Sequence, residues 1–190
     1  MYALIGEGLS AVRWADARAA EIVAAIRTPF LTEMMTSMTG LGSVTAGVVI
    51  VGLFYLAGWR EEFLKSVVAL SVLGVVVWAL MSLVERPFPP NPVCVTEGDG
   101  GTTSSFPSGH SAAVTAYAGI AWRSEELPFA VAAGFAGLIS FSRVYLGTHY
   151  LSDTLFGVGL GIAAVVFAEW FLGRVGEEAV LDRLPLEMED

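Results

Sequence analysis

Residues 142–173 read SRVYLGTHYLSDTLFGVGLGIAAVVFAEWFLG and join a polar motif to a long apolar run. The apolar part, residues 153–173, supplies the roughly 20 residues that a helix needs to cross the hydrocarbon core of a bilayer. Its small-residue spacing also predicts close contact with a neighbouring helix at Gly157, Gly159 and Gly161. The stretch therefore predicts a membrane helix with polar side chains gathered at its N-terminal end.

Four other apolar runs precede this one, at about residues 41–59, 63–84, 110–122 and 127–145. The whole chain is 55% hydrophobic and 15% charged, whereas a soluble domain has about 25% charged residues. The short third run must begin inside the neighbouring motif or lie buried between other helices. We predict an all-α fold, a polytopic membrane helix bundle with about five spanning helices in a single domain.

The N-terminal segment has a different character, because charged residues interrupt the apolar ones throughout residues 4–27. This pattern predicts a helix that lies in the membrane interface rather than crossing the bilayer. A helix packed on the bundle with a few exposed charges fits the pattern equally well. The single domain, residues 1–190, is therefore divided into an N-terminal amphipathic region, a helix bundle and an acidic tail, at residues 4–38, 41–173 and 174–190.

Both histidines of the chain lie in short polar motifs. His149 stands four residues before Asp153, so on a helix the two side chains would share a face. The carboxylate could then accept a hydrogen bond from one ring nitrogen and leave the other oriented and basic. Taken alone, the pair could also be purely structural.

The motif Pro107-Ser108-Gly109-His110 precedes an apolar run and predicts the first turn of a helix. Free backbone N–H groups and the helix dipole attract an anion there, and a glycine lets that anion come close. Arg86 and Arg143 could each add a planar fork of donors for phosphoryl oxygens. Each arginine alone could be a membrane anchor, but the set predicts a phosphoryl-transfer site.

Helix topology gives an independent reason to group these residues. If four successive spanning helices alternate in direction, their polar ends reach the same membrane face, which brings together Arg86, His110, Arg143 and Asp153. The segment 87–106 is rich in proline and glycine and forms a long loop on that face. This loop either covers the site and admits the substrate, or is a simple connector.

At these motifs the chain resembles the type-2 phosphatidic acid phosphatase superfamily, which contains bacterial lipid phosphatases and vanadate haloperoxidases. The family's second block is matched in full by residues 107–110. Its third block is also matched in full, by Ser142, Arg143, His149 and Asp153. The first block is matched only at Arg86-Pro87, because Ala79 stands where the family has a lysine.

The resemblance implies hydrolysis of a phosphate ester or pyrophosphate on a membrane lipid, without a metal or another cofactor. It also implies that His149, oriented by Asp153, attacks phosphorus to form a phosphohistidine, while His110 protonates the leaving oxygen. The phosphate oxygens would be held by Arg86, Ser108, Gly109 and Arg143.

Other functions would use the same anion-binding residues. A phosphotransferase, a haloperoxidase-like site that holds vanadate, and a catalytically silent protein that binds lipid phosphates all fit them. For the silent protein, Ala79 would mark the loss of activity, but a binder needs no histidine nucleophile. A transporter is disfavoured, because the charged residues gather at one face rather than at mid-membrane. Phosphatidate, phosphatidylglycerol phosphate and polyprenyl pyrophosphate are all compatible substrates.

Charge and composition exclude several partners. A net charge of −9 argues against binding to nucleic acid and against electrostatic attachment to anionic lipid. Cys94 has no second cysteine, and the histidines lack the spacing of a metal site. The expected partners are the membrane and a lipid phosphate, with the oligomeric state open. Basic residues are more numerous opposite the motifs, which favours a site facing away from the cytoplasm.

Overall fold

The computed structural model describes residues 2–93 and 104–176 of the chain. Over these residues the protein contains seven α-helices, one short 3₁₀ turn and no strand. The predicted all-α class is therefore confirmed. Cys94, the centre of the loop 87–106 and most of the acidic tail lie outside the described residues.

The helices are α1 Tyr2–Ile26, α2 Pro29–Thr39, α3 Val44–Leu56, α4 Arg60–Val84, α5 Gly109–Ala121, α6 Phe129–Tyr145 and α7 Leu151–Val175, with the turn Gly40–Gly42 between α2 and α3. Each of the five predicted apolar runs forms one helix, α3 to α7. By length and composition, α4 and α7 can each cross a membrane, and α2 with α3 would make a third span bent by 55°. The number of about five spanning helices stays a prediction.

The N-terminal region contains two helices where the sequence suggested one amphipathic segment. Thr28 separates them, because its side chain accepts a hydrogen bond from the N–H of Leu31 and so caps α2. Pro29 occupies the first turn of α2, where its missing N–H costs nothing. Ser43 caps α3 in the same way, so the predicted run at 41–59 becomes a helix of 13 residues.

Helix α1 packs against α6 and α7 and leaves several of its apolar side chains exposed. Leu9, Trp14 and Ile22 are exposed, whereas Asp16 and Val23 are buried. The contacts of α1 with α6 and α7 fit the alternative of a helix packed on the bundle. Its position in the membrane interface stays a prediction.

Helix α5 lies at the centre of the bundle, in contact with α4, α6 and α7. Two small residues of α5, Ala112 and Ala116, are fully buried, and they pack with Leu73 of α4 and Ala164 of α7 in one apolar cluster. The short run at 110–122 is thus buried between its neighbours. This position also places the start of α5, which carries the second motif, between the ends of other helices.

Two glycines of α7 allow its close approach to α5. A Cβ on Gly157 would overlap the carbonyl oxygen of Ser108, and one on Gly161 would lie 2.5 Å from the carbonyl oxygen of Ala112. A Cβ on Gly159, by contrast, would meet nothing within 4 Å. The prediction of close helix contact is correct for the first two glycines and wrong for Gly159.

Gly161→Ala is expected to lower the melting temperature of the detergent-purified protein, because over-packing against a backbone that cannot move aside costs about 1–3 kcal/mol. Gly159→Ala is the matched control on the same helix. It should leave the melting temperature unchanged or raise it, since alanine is favoured over glycine in a helix by up to about 1 kcal/mol. Equal shifts in the two variants would contradict the described contact between α5 and α7.

Candidate active site

Arg86 is positioned by the end of α4 and by the segment that leads into α5. The helix is ended by Glu85, which takes a left-handed conformation with φ 45°. The N–H of Arg86 donates to Ser104 Oγ at 3.0 Å, and its carbonyl oxygen accepts from the N–H of Ser105 at 2.7 Å. These bonds hold the two ends of the loop 87–106 together beside the site.

The second motif begins α5, as the sequence predicts. Ser108 is the N-cap residue, and its Oγ accepts a hydrogen bond from the N–H of Ser111 at 3.4 Å. The N–H of Ser108 donates to the carbonyl oxygen of Asp153 at 3.2 Å, which joins the start of α5 to the start of α7. The first-turn N–H groups at Gly109 and His110 have no acceptor within the helix and can donate to an anion.

His149 lies in the loop before α7 and not on the helix. Because α7 begins at Leu151, with Tyr150 in an extended conformation before it, the helical spacing of four residues does not apply. The predicted hydrogen bond between His149 and Asp153 is therefore wrong. His149 Nδ1 bonds instead to the carbonyl oxygen of Ser105. A carbonyl oxygen can only accept, so Nδ1 carries the proton and Nε2 keeps its lone pair.

Arg143 lies beside that lone pair. Its buried side chain extends from the end of α6, where Nη1 donates to Thr39 Oγ1 at 3.0 Å and Nη2 stands 3.4 Å from His149 Nε2. Burial and then the positive charge of Arg143 lower the pKa of His149 to about 3. The imidazole is thus neutral at neutral pH, and a nucleophilic nitrogen adjoins a group that can bind phosphoryl oxygens.

Asp153 holds Arg86 rather than His149. It is fully buried in the first turn of α7, where Oδ1 accepts from Arg86 Nη1 and Oδ2 accepts from the N–H of Tyr150 at 2.8 Å. A carboxylate at the third position of a helix reaches back to the N-cap N–H, and the guanidinium compensates its buried charge. Asp153 therefore fixes the arginine of the first block and the start of α7.

The guanidinium of Arg86 has a second carboxylate partner. Asp16 of α1 is buried and accepts a hydrogen bond from Arg86 Nη2 at 2.7 Å. Ser152 Oγ accepts from Arg86 Nη1 at 2.8 Å, and the guanidinium carbon lies 4.0 Å from the ring centroid of Tyr150. Side chains from α1 and from the start of α7 thus hold the plane of Arg86.

His110 lies near these groups, and within the described ranges its ring has no hydrogen-bond partner. It packs against the turn between α2 and α3, where a Cβ on Gly42 would come within 3.0 Å of His110 Cδ2. It lies in the first turn of α5, at the same end of the bundle as His149. Among the described residues neither histidine has a carboxylate partner, because the ring of His149 bonds to the carbonyl of Ser105 instead.

The seven predicted site residues all lie at one end of the bundle, at the starts of α5 and α7 and the ends of α4 and α6. Ala79, at the position of the family's lysine, is half-buried on α4, about two turns before Arg86. In the part of the chain that the structure covers, no group of three or more His, Cys, Asp or Glu side chains is placed to hold a metal ion.

Sequence reasoning missed four contributors to the site, which are Asp16, Thr39, Ser105 and Ser152. Only Asp16 left a signal, because it shares a helix face with the half-buried Ala20 and the buried Val23. A charged residue in such a stripe must find a partner. Ser105 acts through its backbone carbonyl, which every residue type has, so its identity carries no information.

A cavity of about 700 Å³ adjoins Arg86 and Tyr150. Arg13 of α1 and Arg27, the residue after this helix, line it on one side, and Gly147 lines it on the other. Its size is within the range of about 300–1,000 Å³ that is typical of small-molecule sites. The cavity therefore offers room for a polar group next to the arginine of the first block.

This fold is that of an integral membrane protein in which histidine and arginine side chains gather at one end of the helix bundle. The chain belongs to the PAP2 superfamily, whose family model matches residues 64–176. The resemblance carried by the three motifs is thereby confirmed.

Two characterised relatives are lipid phosphatases by name. The chain is 30% identical over 179 residues to phosphatidylglycerophosphatase B of Bacillus subtilis, with 85% of each chain covered. It is 33% identical over 109 residues to decaprenylphosphoryl-5-phosphoribose phosphatase of Mycobacterium tuberculosis, which covers 56% of this chain and 60% of that protein.

Two solved structures share the fold. The crystal structure of a transmembrane PAP2-type phosphatidylglycerolphosphate phosphatase from Bacillus subtilis matches with a TM-score of 0.72 at 28% identity, over 87% of this chain and 88% of that one. Aquifex aeolicus LpxE matches with a TM-score of 0.69 at 23% identity, over 80% of this chain and 93% of that one. At that identity, LpxE supports the fold alone.

Proposed function

We propose that this protein hydrolyses a phosphate ester on a membrane lipid through a phosphohistidine formed at His149. The supporting observation is the position of the His149 ring. The carbonyl of Ser105 keeps the proton on Nδ1, and the lone pair of Nε2 faces Arg143 Nη2 at 3.4 Å. It becomes available to phosphorus when phosphoryl oxygens take over that donor. A neutral nucleophile therefore faces a cation that can bind the oxygens of the group it attacks.

The proposed reaction has two displacements at phosphorus. First, the bound phosphate anion favours the protonated form of His110. His149 Nε2 then forms a bond to phosphorus while the bond from phosphorus to the lipid oxygen breaks, and His110 gives its proton to that oxygen. Second, water attacks the phosphohistidine, His110 takes a proton from the water, and phosphate leaves. Both histidines then regain their starting protonation states.

The phosphoryl oxygens would be bound by groups that are already oriented. Arg143 lies beside the nucleophile, Arg86 is fixed by two carboxylates, and the N–H of Gly109 is free at the start of α5. Ser108 Oγ, which lies 3.0 Å from Ser111 Oγ, adds a hydroxyl at the same helix start. Donors that need no reorganisation are the most effective at stabilising charge that develops in a transition state.

The substrate class follows from the relatives and the cavity. Both named relatives are phosphatases of lipid-linked phosphates. The cavity beside Arg86 would hold the part of the head group next to the reacting phosphate, while the lipid tail stays in the bilayer. We therefore propose a lipid phosphate monoester as the substrate.

Detergent-purified protein is expected to release phosphate from at least one member of a panel of phosphatidate, phosphatidylglycerol phosphate and polyprenyl pyrophosphate, with EDTA present. Vanadate should inhibit competitively, because it adopts the five-coordinate geometry of the phosphoryl transition state. The control is the same assay with Mg²⁺ in place of EDTA, which should change the rate by less than about twofold if no metal activates the nucleophile. Activity that requires a divalent ion would contradict the proposed mechanism.

We also propose that the site faces away from the cytoplasm. Arg60, Arg123 and Arg174 lie at helix ends opposite the site, and basic residues accumulate on the cytoplasmic side of membrane proteins. Cys94 is the only cysteine of the sequence, and it stands between Val93 and Ser104, which both lie at the motif end of the bundle. A membrane-impermeant maleimide should label it in intact cells as fully as in permeabilised cells. Labelling that requires permeabilisation would reverse the orientation.

A further inference from the structure

We propose that Asp16 is a positioning residue for the phosphoryl transfer, and that it acts by fixing the guanidinium of Arg86. The inference rests on the proposed function, because Arg86 is assigned there to the phosphoryl oxygens. Asp16 lies on α1, outside the residues 64–176 that the family model matches. The N-terminal helix would thus supply part of the site that none of the three motifs contains.

The contacts of Asp16 converge on one cluster at the start of α7. Its Oδ2 accepts from Arg86 Nη2 and from Ser152 Oγ, each at 2.7 Å. Its Oδ1 accepts from the N–H of Ser152 at 2.8 Å. Ser152 Oγ in turn accepts from Arg86 Nη1, so the carboxylate, the hydroxyl and the guanidinium form a closed ring of hydrogen bonds.

The burial of Asp16 distinguishes it from the other charged residues of its helix. Only 3% of Asp16 is exposed, whereas Arg18 and Glu21 form an exposed ion pair one turn later. A buried carboxylate is costly unless it is paired and hydrogen-bonded. Asp16 satisfies that condition only through Arg86 and Ser152, and its place on α1 is therefore tied to the geometry of the site.

The consequence for Arg86 follows from counting its donors. A guanidinium has five N–H groups. Three of them are engaged by Asp153, Ser152 and Asp16, and these bonds fix the plane of the group. Two donors are left for phosphoryl oxygens. Without Asp16, the hydrogen bonds of the group are made through Nη1 alone and Nη2 is no longer fixed in the plane above the Tyr150 ring, so the direction of the remaining donors is less well defined.

Loss of Asp16 should therefore reduce turnover more than substrate binding. Asp16→Asn keeps the size of the side chain and an oxygen for Ser152, but it removes the charge that holds Nη2. We expect kcat to fall about 10- to 100-fold, as is typical when the support of a reacting group is removed. KM should change by less than about threefold, because the total positive charge of the arginines stays in place. Vanadate, as a transition-state mimic, should lose affinity in parallel with kcat.

The matched control is Glu7→Gln, which removes an exposed carboxylate from the same helix, away from the cavity, and should leave kcat and KM unchanged. A double-variant cycle then identifies the route of the effect. If Asp16 acts through Arg86, adding Asp16→Asn to the Arg86→Lys variant should lower kcat by less than about a further threefold, because the hydrogen bonds between Asp16 and the guanidinium are already lost. Melting temperatures in detergent show whether each variant is folded, and Ser152→Ala replaces Asp16→Asn if that variant does not fold.

Two results would overturn the proposal. One is a folded Asp16→Asn or Ser152→Ala variant with kcat within threefold of the wild type. The other is a double variant whose fold loss in kcat equals the product of the losses in the two single variants, which would mean that Asp16 acts independently of Arg86. If the wild type releases no phosphate from any lipid, the proposed hydrolysis fails instead. Vanadate affinity, which needs no turnover, is then measured for the same single and double variants. If the two single changes in binding free energy add up in the double variant, the role of Asp16 is overturned.

Discussion

His149→Ala is expected to reduce kcat by more than about 10³-fold while the protein still folds, because removal of a covalent nucleophile leaves only binding and charge stabilisation. The ring has no carboxylate partner, and buried Arg143, which loses the contact with Nε2, keeps its hydrogen bond to Thr39. Initial rates on the best lipid substrate, together with a melting curve in detergent, test this expectation. Activity within a few-fold of the wild type would remove His149 as the nucleophile.

A more conservative variant separates chemistry from structure at the same position. His149→Asn can place an amide N–H where Nδ1 donates to the carbonyl of Ser105, so it retains the structural bond without a nucleophilic nitrogen. It should melt at a higher temperature than His149→Ala and be equally inactive. A rapid alkaline quench of the wild type should trap a phosphohistidine, which is stable in base and labile in acid, and neither variant should form it.

His110→Ala is expected to slow the enzyme by about 10²- to 10⁴-fold on a lipid phosphate, which is the usual contribution of a general acid. The loss should be much smaller on p-nitrophenyl phosphate, because its leaving group needs no proton. The ring of His110 is half-buried and packs against the turn between α2 and α3, so the melting temperature must be measured for the same preparation.

The comparison of the two substrates is the decisive part of that experiment. An equal loss on the alkyl and the p-nitrophenyl ester would contradict proton donation by His110. Such a result would assign to His110 a role in binding the phosphate, next to Arg143 at the same end of the bundle.

The main features of the fold were predictable from local sequence. The five apolar runs became α3 to α7, and the N-cap residues Thr28, Ser43 and Ser108 mark helix starts that their side chains explain. The boundaries of α3 were less accurate, because Ser43 begins the helix inside a run that hydropathy alone treats as continuous. The number of spanning helices depends on how neighbouring helices bury short ones such as α5, and this packing cannot be inferred from hydropathy.

The predicted site residues meet at one end of the bundle because alternating helices bring distant positions together. The predicted partners within the site were partly wrong. The spacing of His149 and Asp153 assumed a helix, whereas α7 begins only at Leu151. The carboxylate of Asp153 caps the helix by accepting from the N–H of Tyr150 and also accepts from Arg86. The imidazole of His149 donates to the carbonyl of Ser105 instead.

Residue identity and spacing by themselves determined the membrane class, the three motifs and the chemistry that two histidines and two arginines can perform. Those properties depend on side-chain type and on contacts between near neighbours in the chain. Only the tertiary structure decided which acceptor fixes the tautomer of His149, and that Asp16 joins Asp153 around Arg86. These contacts link positions 44 and 70 residues apart. They exist because helices pack side by side. One of them uses the backbone carbonyl of Ser105, which every residue type has and which the sequence therefore cannot indicate.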